Sequence, residues 1–134
     1  SGYHILLAED NLLNLEIAEF ILTDAGAVVT KACNGEEALQ LFMEASPYEY
    51  DIILMDIMMP VMDGYQTTRA IRSLDRPDAK TIPILAMTAN AFAEDRQKTY
   101  AAGMDEHLTK PLDTELLLKT IAKYTPEKKA TMTP

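Results

Sequence analysis

Short apolar runs that break off on charged or polar residues set the rhythm of this chain. Ile5-Leu6-Leu7-Ala8 stops at Glu9-Asp10, and Ile52-Ile53-Leu54-Met55 stops at Asp56. Ile84-Leu85-Ala86-Met87 ends on Thr88, and the shorter His107-Leu108-Thr109 ends on Lys110-Pro111. Runs of this length without alternation read as strands buried on both faces. Helix-spaced apolar positions fill the intervals. The spacing predicts helices over 11–24, 34–45, 64–74 and 94–102 and a last one from 113, alternating with strands over 4–8, 28–32, 51–56, 84–88 and 107–109. Gly26 and Gly103 read as helix stops, Asn34 as a cap, and Pro77 and Pro83 as brackets of a surface loop. The second helix presents Ala38, Leu39, Leu41, Phe42 and Ala45, and the last presents Leu116, Leu117, Ile121 and Ala122. In the first helix a core stripe through Ile17, Ala18 and Ile21 leaves Leu12, Leu13, Leu15 and Phe20 in surplus.

Regular alternation of strand and helix is the signature of a parallel sheet covered on both faces. The carboxyl ends of all strands in such a sheet share one edge, and ligands bind there. Glu9, Asp10, Asp56, Thr88 and Lys110 therefore become neighbours from four distant stretches. Three carboxylates at one edge repel one another unless they share a cation. The edge asks for a divalent metal, a lysine, or both.

Four pieces, Glu9-Asp10-Asn11, the stretch from Leu54 to Gly64 around Asp56, Ala86-Met87-Thr88-Ala89, and the stretch from Gly103 to Pro111, together resemble the receiver domain of two-component response regulators. The resemblance covers residues 4–124. It implies a flavodoxin-like, doubly wound α/β fold, (βα)5, with five parallel strands in the order 2-1-3-4-5, an order that periodicity does not give. It also implies that Asp56 is the phosphoacceptor, taking a phosphoryl group from a phosphohistidine. Glu9, Asp10, Asp56 and the backbone carbonyl of Met58 would hold Mg2+, with Mn2+ expected to substitute. Glu9 stands where aspartate is commoner. Lys110, the Thr88 hydroxyl and the Ala89 amide would bind the phosphoryl oxygens, and Lys110-Pro111 would be a cis peptide. Thr88 and His107 would form a switch, although a half-buried strand histidine with no moving part is the competing reading of His107. Partners implied are the dimerisation domain of a histidine kinase, a histidine phosphotransfer domain, or both, and a phosphorylation-linked dimer. Leu12, Leu13 and Leu15 are the expected docking surface. The domain would catalyse its own phosphorylation and dephosphorylation.

Details of the motifs look most like receivers attached to hybrid sensor histidine kinases, and in that setting the parent would be a histidine protein kinase. A single-domain regulator is the alternative. A haloacid dehalogenase-like phosphotransferase wants a second Asp two residues after the nucleophile, where this chain has Met58. A flavodoxin-type electron carrier wants a Ser/Thr/Gly-rich loop in place of Glu9-Asp10, and a receiver-derived interaction module without phosphoryl chemistry would be expected to lack Asp56, Thr88 or Lys110. No GxGxxG or GxxxxGK[ST] run supports a nucleotide site.

With 134 residues the chain suits one domain. Residues 1–3 read as a cloning remnant or extension, 4–124 as the domain, and 125–134, with Lys128-Lys129 and two prolines, as tail or linker. A net charge of −9 argues against direct contact with nucleic acid or an anionic membrane. Cys33, the only cysteine, excludes an internal disulfide, fits a cytoplasmic setting, and reads as a small buried hydrophobe. No apolar stretch approaches the roughly 20 residues of a membrane span.

Overall fold

A computed structural model describes residues 3–89 and 93–125, with the backbone alone for 93–95. Residues 1–2 of the expected leader and 126–134 of the expected tail lie outside the described residues. The elements are β1 His4–Ala8, α1 Leu12–Asp24, β2 Val28–Ala32, α2 Gly35–Glu44, β3 Ile52–Asp56, α3 Gly64–Arg72, β4 Ile84–Thr88, α4 Ala93–Ala102, β5 Glu106–Thr109 and α5 Thr114–Tyr124. All neighbours in the sheet pair in parallel, in the order β2-β1-β3-β4-β5. The fold expected from the sequence is the one observed.

Successive strand residues face opposite sides, which explains the unbroken apolar runs. Leu6, Ala8, Ile53, Met55, Ile84 and Ala86 pack into one core with Phe42 of α2 and Ile71 of α3. Their sequence neighbours Ile5, Leu7, Ile52, Leu54, Leu85 and Met87 pack into a second core with α1 and α5. Every residue of β3 and β4 is buried, whereas β2 lies at the edge and leaves Val28 exposed.

The helices start where side chains take up free backbone amides. Asn11 accepts from the Asn14 amide at 3.0 Å, Asn34 from Glu37 at 2.8 Å and Asp113 from Leu116 at 3.0 Å. Asp63 and Gln66 cap α3 reciprocally. Each cap is worth about 1 kcal/mol, and all four fix helix starts that follow strand ends.

Several expectations need correction. Cys33 is exposed, because it follows the last residue of an edge strand rather than sitting within one. The α1 core stripe is Leu15, Ala18 and Leu22, while Ile17 is 46% exposed and Ile21 partly buried. The stripe lies one residue round the helix from its expected place, and Leu15 belongs to the core rather than to a docking surface. Leu116 points outward from α5. Helix α3 stops at Arg72, two residues early. The loop between Pro77 and Pro83 buries Asp78, Ala79 and Ile82, because Arg76 donates to Asp78 at 2.7 Å and to the Phe42 carbonyl at 2.7 Å. Tyr3, counted with the leader, is a buried core residue.

Candidate functional site

Each acid comes from the carboxyl end of a central strand. Glu9 follows β1, and its amide donates to Ala32 of β2 at 3.0 Å, continuing the ladder one step past the strand. Asp56 closes β3, which neighbours β1 in the sheet. Glu9 is 2% exposed and Asp56 3%, whereas Asp10 is exposed. Ligand oxygens of Glu9, Asp10 and Asp56 lie within 4.8 Å of one another.

Lys110 reaches the same place from β5. Its amide donates to the Thr88 carbonyl at 2.8 Å, setting it beside the end of β4. The Lys110 ammonium then lies 2.6 Å from Glu9 Oε1 and 3.2 Å from Asp56 Oδ1. The Lys110–Pro111 peptide is cis, as expected. Thr88 is buried at the end of β4 and Ala89 follows it, exposed.

The electrostatics follow from this crowding. Burial pushes the Asp56 carboxyl up to about 7, the hydrogen bond and charge of Glu9 push the same way, and Lys110 pulls it back. Burial alone would lower Lys110, but its hydrogen bond to Glu9 and the charges of Asp56 and Glu9 outweigh that and hold it above the ordinary lysine value. One lysine therefore leaves the two buried carboxylates incompletely neutralised. A hard divalent cation suits oxygen donors so arranged, and the acidic cluster fits one.

Met58 projects its side chain to solvent, 76% exposed, between Ile57 and Met59, which are both anchored in the core. His107 is half-buried on β5, with Nδ1 3.5 Å from the hydroxyl of buried Thr99 on α4. Thr99 had no signal in the sequence, because a helix threonine acquires its meaning only from the strand opposite. A cavity of about 70 Å³ beside Glu9 and Lys110 is lined also by Asn14, Ile17, Ala18, Pro111 and Leu112. Ile17, assigned to the core stripe from the sequence, belongs to this surface instead, and its spacing was the available signal: Leu13, Ile17 and Phe20, all exposed, share one helical face. Leu12 and Leu13 are exposed as expected.

A family model for the response regulator receiver domain matches residues 5–122. Similar curated proteins include hybrid signal transduction histidine kinase I of Dictyostelium discoideum, 37% identical over 96% of this chain but only 8% of that protein. The sensor histidine kinase GacS of Pseudomonas protegens is 38% identical over 90% of this chain and 13% of its own length. Among solved structures, the receiver domain of the sensor kinase PA1611 from Pseudomonas aeruginosa, with magnesium in its active-site cleft, superposes with a TM-score of 0.85 at 36% identity, covering 94% of this chain and 99% of that one. The receiver domain of Saccharomyces cerevisiae Ssk1, solved in complex with the phosphotransfer protein Ypd1, is 26% identical with a TM-score of 0.82, covering 93% and 90%. Strand order, the acid-and-lysine edge and these matches agree: the chain belongs to the response regulator receiver domain family and is a receiver domain of two-component signalling. It is homologous to the receiver regions of hybrid histidine kinases, and spans a small fraction of those proteins.

Proposed function

We propose that this receiver accepts a phosphoryl group from a partner's phosphohistidine onto Asp56. The observation that carries this reading is the Lys110 ammonium held between buried Glu9 and Asp56, with Asp10 completing an acidic cluster at the sheet edge. An Asp56 oxygen bonds to phosphorus as the bond to imidazole nitrogen breaks, and the imidazole departs with a proton. Lys110, the Thr88 hydroxyl and the Ala89 amide bind the phosphoryl oxygens. Glu9, Asp10, Asp56 and the Met58 carbonyl hold Mg2+, or Mn2+ in its place, which when bound supplies the charge that neutralises those oxygens. The magnesium in the similar Pseudomonas aeruginosa receiver supports that choice. Thr88 and His107 report the new charge to the β4–β5 side of the sheet.

The donor is a four-helix histidine phosphotransfer domain or the dimerisation domain of a kinase, and it docks on α1. Leu12, Leu13, Ile17 and Phe20 are exposed there, and the Ile17 end reaches the cavity beside Lys110. The Ssk1–Ypd1 complex supports such a partner. The setting is cytoplasmic, in a hybrid sensor kinase, with residues 4–124 as the receiver unit. Among the described residues no helix is long and apolar enough to cross a membrane. Incubation with acetyl phosphate and Mg2+, followed by intact mass measurement, tests the central step. The native chain gains one phosphoryl group and Asp56→Asn gains none; equal gain by both overturns the assignment.

A further inference from the structure

The loop from β3 to α3 breaks a local rule directly beside the acid edge. Val61 has φ of +69°, in the left-handed region, and the Met62 amide donates to the Pro60 carbonyl across it at 2.7 Å. This is a γ-turn of the rarer, strained hand, and a β-branched residue is among the least suited to it. Burial does not account for the choice, since Val61 is 74% exposed.

Both flanks of the turn are fixed. Ile57 donates to Met87 at 3.1 Å, and the Gly64 amide donates back to Ile57 at 2.9 Å, closing the loop. A Cβ on Gly64 would stand 2.5 Å from the Asp56 carbonyl oxygen, so α3 begins hard against the backbone of Asp56. A Cβ on Gly35 would collide with the Thr67 hydroxyl and the Met62 carbonyl oxygen, so the start of α2 presses on the other side of the turn. The loop is trapped between two helix starts, and Val61 is the residue that takes up the strain.

We propose that Val61 is a positioning residue for the acid site: its narrow left-handed turn holds the loop from Ile57 to Gly64 in a single path, and thereby holds the Met58 carbonyl and Asp56 where phosphoryl acceptance needs them. This rests on the function proposed above. The stiffness of a β-branched residue makes the path narrow, and strain of this kind persists only where the surroundings over-determine the backbone. Glycine at the same place would release the strain and widen the path. Asparagine tolerates the left-handed region while keeping a side chain that restricts it.

The test compares native chain, Val61→Gly and Val61→Asn in three measurements: thermal unfolding, Mg2+ affinity by calorimetry, and the rate of phosphorylation by acetyl phosphate at saturating Mg2+. Val61→Gly should unfold no earlier than the native chain, yet bind Mg2+ more weakly and accept phosphoryl more slowly, each by about threefold to tenfold. Val61→Asn should recover most of both losses. A merely structural role would move the unfolding temperature and leave the other two unchanged. Native affinity and rate in Val61→Gly overturn the proposal, and so does a Val61→Asn variant as impaired as Val61→Gly, since the lost isopropyl group would then be the cause. Failure of the native chain itself to be phosphorylated overturns the functional reading instead. A Val61→Gly chain that does not fold also rejects the proposal, since release of the strain should leave folding intact.

Discussion

Two carboxylates and one ammonium share a buried edge, and ionisation of Asp56 there works against folding. Its carboxyl, pushed up to about 7 by burial and Glu9, favours the folded state while protonated. The advantage is fully present below the ordinary aspartate value near 4 and is lost as pH rises through 7. In the absence of divalent metal, Asp56→Asn should therefore gain stability over the native chain across pH 4 to 7.5, rising with pH to about 4 kcal/mol at the upper end. Urea unfolding of both proteins in chelator at several pH values checks the sign, and a difference that does not grow with pH contradicts it. Met58 offers a second prediction. Its thioether side chain is exposed beside the site while its carbonyl serves as a proposed ligand, so Met58→Asn replaces a water-excluding group with a water-orienting one. Spontaneous loss of phosphate should speed up about threefold or more, with Mg2+ affinity kept. Time courses with no partner present would show an equal or slower rate if Met58 does not shield.

Helix α1 carries two kinds of apolar residue that composition does not distinguish. Leu15 is buried with Ala18 and Leu22 against the sheet, whereas Leu13, Ile17 and Phe20 are exposed. Leu15→Ala should cost about 2–5 kcal/mol by opening a cavity. Leu13→Ala, Ile17→Ala and Phe20→Ala should each change stability by no more than about 0.5 kcal/mol and slow phosphotransfer from a histidine phosphotransfer domain, without slowing phosphorylation by acetyl phosphate. Chemical unfolding and the two phosphorylation assays separate the groups. Unchanged transfer from every donor tested would remove α1 as the docking surface.

For the molecule as a whole, a cation at the acidic cluster binds the folded state alone, because Glu9, Asp10 and Asp56 are brought together from two separate strand ends. Mg2+ at about 100 times its dissociation constant should stabilise the native chain by about 2.7 kcal/mol. Chelator should reverse the gain, and Asp56→Asn should lose most of it. A melting temperature indifferent to Mg2+ contradicts the proposed ligand set. The expectations drawn from the sequence fared according to how local their causes are. Strand positions came within a residue because apolar runs reflect burial on both faces, and Asn34 was legible as a cap because a side chain three residues from an amide completes the motif alone. The acids and the lysine were legible because parallel strands must end at one edge. What the sequence by itself determined is thus the alternation of strand and helix, the strand-end chemistry and, through four motifs in register, the family. Tertiary structure alone decided which side of α1 meets the sheet, that Cys33 faces solvent, that Thr99 faces His107 and that Val61 turns left-handed. Each of these depends on residues distant in the chain, and a local pattern records that a face is apolar without recording what covers it.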